Sequence, residues 1–182
     1  MVSARRSVRF ALRDATAEWH ERVDAVFSHP DLSDRHAYGR FLSAQAAAHL
    51  PVEQALEAGG IGEVVADWAD RRRADLIRAD IEALELCLPS LEAPPVLDGA
   101  PALLGAAYVL EGSRLGGALL ARSVGAGLPA LFLSAGRPAA WRDFVAILDA
   151  RLLTREDIDV AISAACDVFA LFERSGRRML KV

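Results

Sequence analysis

Apolar residues recur at helical spacing along almost the whole of this chain. Phe10, Ala11, Ala15, Trp19, Val23 and Val26 or Phe27 form one stripe, which predicts a first helix over 7–27. His29-Pro30 ends it. Ser33 is a suitable N-cap for a second helix over 34–58, which Gly59-Gly60 stops. Pro51 lies inside that helix and predicts a kink near Ala47–Leu50. A third helical region covers 61–87. The polar run Asp67–Arg73 interrupts it, and Ile77, Ile81, Leu84 and Leu88 restart the stripe.

PSLEAPPVLDGA at 89–100 is a loop rich in proline and glycine. A helix over 101–124 follows, and GAGLPALF breaks it. Arg137-Pro138 leads into a helix over 139–151. Thr154-x-x-Asp157 resembles a capping signal for a last helix over 155–178. No segment shows period-two alternation. The pattern therefore predicts an all-α domain of six to eight helices spanning 1–182, without repeats or linkers.

Composition supports burial and narrows function. Hydrophobic residues are 53% of the 182, enough for one sizeable core. The net charge is −4, the arginines are scattered and aromatics are 7%, which speaks against nucleic-acid binding. The cluster Arg71-Arg72-Arg73 reads as a solvated helix face. Cys87 and Cys166 lack the spacing of a disulfide framework or a zinc site. No apolar stretch is long enough to span a bilayer, and the arginine-rich start is not a secretory signal. The expectation is a cytoplasmic protein, with nothing that demands more than a monomer.

One segment conflicts with its own helical coding. LGAAYVLEGSRLGGALLA at 104–121 carries Gly105, Gly112, Gly116 and Gly117. Each glycine costs a helix interior about 1 kcal/mol relative to alanine, so something must offset the loss. Gly112 and Gly116 share a face, as in a close helix-packing seam. The other reading is a flat ligand lying against bare backbone.

Of the four histidines, His29 and His36 read as surface residues, and His49 sits beside Pro51 on a partly buried helix. His20 differs because Asp24 follows one turn later on the same face. A carboxylate there can accept one ring N–H and leave the other nitrogen for a metal. Arg13, seven residues earlier, lies about 10 Å along the axis.

Together these segments resemble the haem oxygenase family. LRDATAEWHERVD at 12–24 is similar to its proximal helix, and YVLEGSRLGGALLA at 108–121 to its distal helix. FLSAQAAAHLPVEQAL at 41–56 and CDVFALFER at 166–174 match more loosely. The two main motifs lie about 90 residues apart, in the family's order, and the pattern is that of short bacterial members, including those associated with bacteriophytochromes.

The resemblance implies an enzyme that opens haem with O2 to biliverdin, CO and ferrous iron. It implies His20 as axial iron ligand, with Asp24 holding its other nitrogen. Arg13, Tyr108 and Arg142 would contact the haem periphery, with Arg174, Arg177 and Arg178 as alternatives to Arg142. Gly112, Gly116 and Gly117 would form the distal wall. Ser113 stands where eukaryotic-type members carry an aspartate that organises water, which many bacterial relatives also lack, and Ser113, Arg114 and water are candidates for that task. This departure leaves a non-catalytic haem-binding protein as the alternative. No flavin or nicotinamide fingerprint is present, so an enzyme would need an external ferredoxin or reductase.

Overall fold

The computed structural model describes residues 7–28, 30–136 and 138–180. Helix α1 spans Val8–Phe27, α2 Arg35–Ala58, α3 Ile61–Val64, α4 Trp68–Arg71 and α5 Ala74–Ala83. They are followed by α6 at Gly99–Leu120, α7 at Leu131–Ser134, α8 at Pro138–Arg151 and α9 at Arg155–Leu180. Among the described residues six helices have ten residues or more, and the other three are single turns. No strand occurs among the described residues. The chain has the expected all-α fold, while His29 and Arg137 lie outside the described residues.

Helix boundaries follow local chemistry. Asp34, rather than Ser33, caps α2: its carboxylate accepts from Ala37 N at 2.7 Å, and the Ser33 hydroxyl donates to Asp31 instead. Thr154 and Asp157 bond each other's backbone N–H groups at 3.0 and 2.9 Å, a reciprocal cap that starts α9. Helix α2 continues through Pro51. The proline has no N–H to offer the Ala47 carbonyl, and the Glu92 N–H takes that position at 2.9 Å.

The stripe on α1 is set one residue away from the expected one in its first half. Val8, Leu12 and Thr16 are buried, whereas Ala15 is exposed. Thr16 tolerates burial because its hydroxyl donates to the Leu12 carbonyl at 2.8 Å. The region 61–87 divides into α3, α4 and α5, and Leu88 falls beyond α5 as an exposed side chain.

Helix α9 is the element on which α1, α2 and α6 all pack. Its inner face is built from Ala161, Ala165, Val168, Leu171 and Phe172. Small residues let the neighbours approach closely. A Cβ on Gly105 of α6 would lie 2.0 Å from the Ala161 carbonyl oxygen, and one on Gly176 of α9 would lie 2.4 Å from Val26 Cγ1. The buried Ser175 hydroxyl donates to the Ala44 carbonyl at 2.6 Å and joins α9 to α2. This scaffold holds α1 and α6 on either side of an open space.

Candidate functional site

Helices α1 and α6 bound a cleft of about 400 Å³. From α1 come Arg13, His20 and Asp24; from α6 come Tyr108, Gly112, Ser113, Gly116 and Gly117. Phe41 and Gln45 of α2, Phe132 and Leu133 of α7, Trp141 of α8, and Phe169 and Phe172 of α9 complete much of the lining. Burial raises the pKa of the Tyr108 phenol, keeping it a neutral donor. A second groove, of about 510 Å³ beside Arg35 and His36, contains none of the candidate residues.

The α1 side supplies one coordinating group. His20 Nδ1 lies 2.9 Å from Asp24 Oδ2, the i,i+4 contact expected from the helix. Nε2 is then the ring nitrogen left for a ligand. The imidazole ring meets Phe169 edge-on, with centroids 5.9 Å apart, so α9 supports its orientation. Arg13 is exposed and pairs with the adjacent Asp14 at 2.9 Å.

The α6 glycines divide into two classes. Gly105 is the packing seam, because backbone of α9 occupies the space of its missing Cβ. Gly116 faces open space, with nothing within 4 Å of an added Cβ. At Gly112 the nearest atoms are those of Trp141, at 3.9 Å, and at Gly117 the Leu133 carbonyl is 3.4 Å away. Neighbouring helices therefore explain Gly105 and leave Gly112 and Gly116 bare along the cleft.

Behind the glycines lies a buried polar network. Arg71 and Arg73 are 2% and 3% exposed, which overturns the reading of a solvated face for these two, while Arg72 between them is exposed. Arg71 bonds Asp67 and Glu111, both at 2.7 Å, and the Ala140 carbonyl at 2.9 Å. Glu111 also accepts from Arg114 at 2.8 Å, and Arg114 bonds the Ala135 and Arg71 carbonyls. Arg114 is thus buried in the network, outside the cleft lining. Glu53 accepts from the Arg73 and Ala74 backbone N–H groups at 2.8 and 2.9 Å, and from His49 at 2.9 Å. Burial opposes ionisation of Glu53, but the His49 contact and these N–H groups outweigh it and hold its pKa near 2. Burial drives His49 the other way, down to about 4, so it is neutral at pH 7.

No protein-family model matches the chain. "Heme oxygenase PigA" of Pseudomonas aeruginosa is 32% identical over 171 residues, covering 86% of this chain and 85% of that protein. The chain belongs to the haem oxygenase family. A "Heme oxygenase" of Xanthomonas campestris pv. campestris is 36% identical over 112 residues, or 58% of this chain and 67% of that protein. In fold, the NO- and CO-bound heme oxygenase from Neisseria meningitidis superposes with a TM-score of 0.84 at 24% identity, covering 97% of this chain and 93% of that one. The heme oxygenase from Leptospira interrogans gives 0.73 at 15%, covering 95% and 100%.

In this haem oxygenase relative, Arg13, His20, Asp24, Tyr108, Gly112, Ser113, Gly116 and Gly117 all line one cleft. Arg142 is exposed on α8 outside the lining, and its neighbour Trp141 is the α8 residue that enters. Arg177 pairs with Glu173, and Arg174 and Arg178 pair with Glu92. His36 is exposed, and His49 is buried one turn beyond the cleft residue Gln45. Sequence reasoning missed Gln45, Arg73, Phe132 and Trp141. Gln45 was the detectable one, a polar residue flanked by alanines in the run AQAAA at 44–48. Arg73 had no local signal, since its partners come from distant segments. Among the described residues no group of His, Cys, Asp and Glu forms a metal cluster, and no helix is long and apolar enough to cross a membrane.

Proposed function

We propose that this chain, acting as a single cytoplasmic domain, is a haem oxygenase. Haem is its substrate, opened with O2 and electrons from an external ferredoxin or reductase to biliverdin, CO and ferrous iron. The observation that carries this reading is the placement of His20 and the bare Gly112 and Gly116 on the two helices bounding one cleft.

The residues fit haem. His20 offers Nε2 to the iron, while Asp24 holds Nδ1 and so orients the ring. The two glycines leave a wall without side chains, against which a flat macrocycle can lie and which still admits a diatomic gas. Phe41, Phe169 and Phe172 supply apolar surface for the ring. Arg13 and Tyr108 line the same cleft and would be the partners of haem's acidic side chains. Bound haem supplies the iron at which O2 is activated, and the protein supplies position and exclusion of water.

Haemin titration tests the reading. Wild-type protein should give a Soret band that His20→Ala shifts or weakens. With ascorbate or a reductase system, the band should decay to a biliverdin spectrum. Stable haem without turnover would leave a haem-binding protein only, and failure to bind haemin would remove the reading altogether.

A further inference from the structure

The polar group behind the glycine wall is an arginine. Arg73 is buried but belongs to the lining of the cleft. Its Nη2 donates to Ser113 Oγ and to the Leu110 carbonyl, each at 2.7 Å. Ser113 directs its own proton to that same carbonyl, also at 2.7 Å, so toward Arg73 its oxygen is an acceptor. The guanidinium lies over the Phe132 ring, 4.7 Å from its centroid.

Among the described residues no carboxylate lies within ion-pair distance of the Arg73 side chain. The nearby acids are committed elsewhere. Glu111 serves Arg71 and Arg114, and Glu53 serves His49 and two backbone N–H groups. A buried cation without its own counter-ion attracts negative charge in its vicinity far more strongly than it would in water.

Resting on the haem reading above, we infer that Arg73, anchored by Ser113, is the cleft's fixed cation and favours anionic ligands at the haem iron. Ser113 then has a defined task, which is to hold the guanidinium at the glycine wall. Burial, and after it the neighbouring Arg114, lower the pKa of Arg73 to about 9 against the weaker, longer-range pull of Glu111 and Glu53, and the group stays charged at pH 7. Such a preorganised charge acts on any negative charge that develops over the iron.

Ligand binding to the ferric haem complex tests this without turnover. Fluoride is the anionic probe and imidazole the neutral one, each titrated by the visible spectrum at pH 7. Arg73→Gln should weaken fluoride binding by about tenfold, the size expected for losing a buried unit charge roughly 10 Å away, and leave imidazole nearly unchanged. Arg73→Lys should keep most of the fluoride affinity, and Ser113→Ala should fall between. Fluoride affinity unaltered in Arg73→Gln would overturn the inference, as would equal losses for fluoride and imidazole, which mean a collapsed cleft. Should Arg73→Gln not fold, Ser113→Ala decides, and unchanged fluoride affinity there overturns it. Absence of a His20-dependent Soret band would instead defeat the haem reading itself.

Discussion

Replacing Gly105 and Gly116 separately by alanine would put the same methyl group into two opposite environments on one helix. At Gly116 the added Cβ meets nothing within 4 Å, and the backbone is ordinary helix. Alanine there should stabilise the haem-free protein by about 1 kcal/mol, the propensity difference, raising Tm by roughly 2–4 °C for a chain of this size. At Gly105 the Cβ would lie 2.0 Å from the Ala161 carbonyl oxygen and under 3 Å from two more backbone atoms of α9. No rotamer change relieves that overlap, so α6 and α9 must separate. The overpacking cost of about 1–3 kcal/mol, plus packing lost along a central interface, exceeds the propensity gain. A net loss of about 2 kcal/mol lowers Tm by roughly 4–8 °C. Thermal unfolding of the haem-free variants, followed by far-ultraviolet circular dichroism, reads both numbers. Haemin titration adds the second half: Gly116→Ala should bind haemin more weakly than wild type although it is the more stable protein. Shifts of the same sign in the two haem-free variants would refute the division of the glycines into seam and wall.

Three further outcomes are expected. Stability should fall as pH drops, because the ordinary His49 pKa of 6.5 becomes about 4 in the fold; its contribution is complete above 6.5 and lost between 6.5 and 4. That part is worth about 3 kcal/mol, and Glu53 continues the loss as its carboxylate titrates from 4.5 toward 2; urea unfolding at several pH values should show it, and His49→Leu should flatten the upper part of the curve. Asp24→Ala frees His20 Nδ1, so the iron–histidine stretching frequency of the ferrous complex should fall and haemin affinity should drop by roughly tenfold, the lower range for loss of a ligand's supporting carboxylate. Thr154→Ala removes one half of the reciprocal cap on α9 and should cost about 1 kcal/mol in urea unfolding, without changing the Soret band.

The parts of the fold read from the chain are those governed by neighbours within one or two turns. Helix stops at Gly59-Gly60, the Thr154–Asp157 cap and the His20–Asp24 pair all emerged at the expected places, because each depends on spacing along a single helix. The α1 stripe shows where such reading ends. Thr16 looks polar and Ala15 apolar, yet the fold buries Thr16 and exposes Ala15. The choice was made by what packs against α1 and by a hydroxyl that could satisfy itself on Leu12. Arg71 and Arg73 show the same limit. Their burial needs Glu111, Leu110 and Ser113, some forty residues away, and Arg71 also takes the Ala140 carbonyl.

From the sequence alone came the all-α periodicity, the histidine with its carboxylate one turn on, and a helix with too many glycines for its own stability. These are local properties, written in residue type and spacing. Only the tertiary structure distinguished Gly105, closed by the backbone of α9, from Gly112 and Gly116, open to a cleft. It also placed Trp141 rather than Arg142 in that cleft, and put a buried guanidinium behind Ser113. The physical reason is common to all three. What a residue faces is set by the elements packed around its helix, and no periodicity along one helix specifies those.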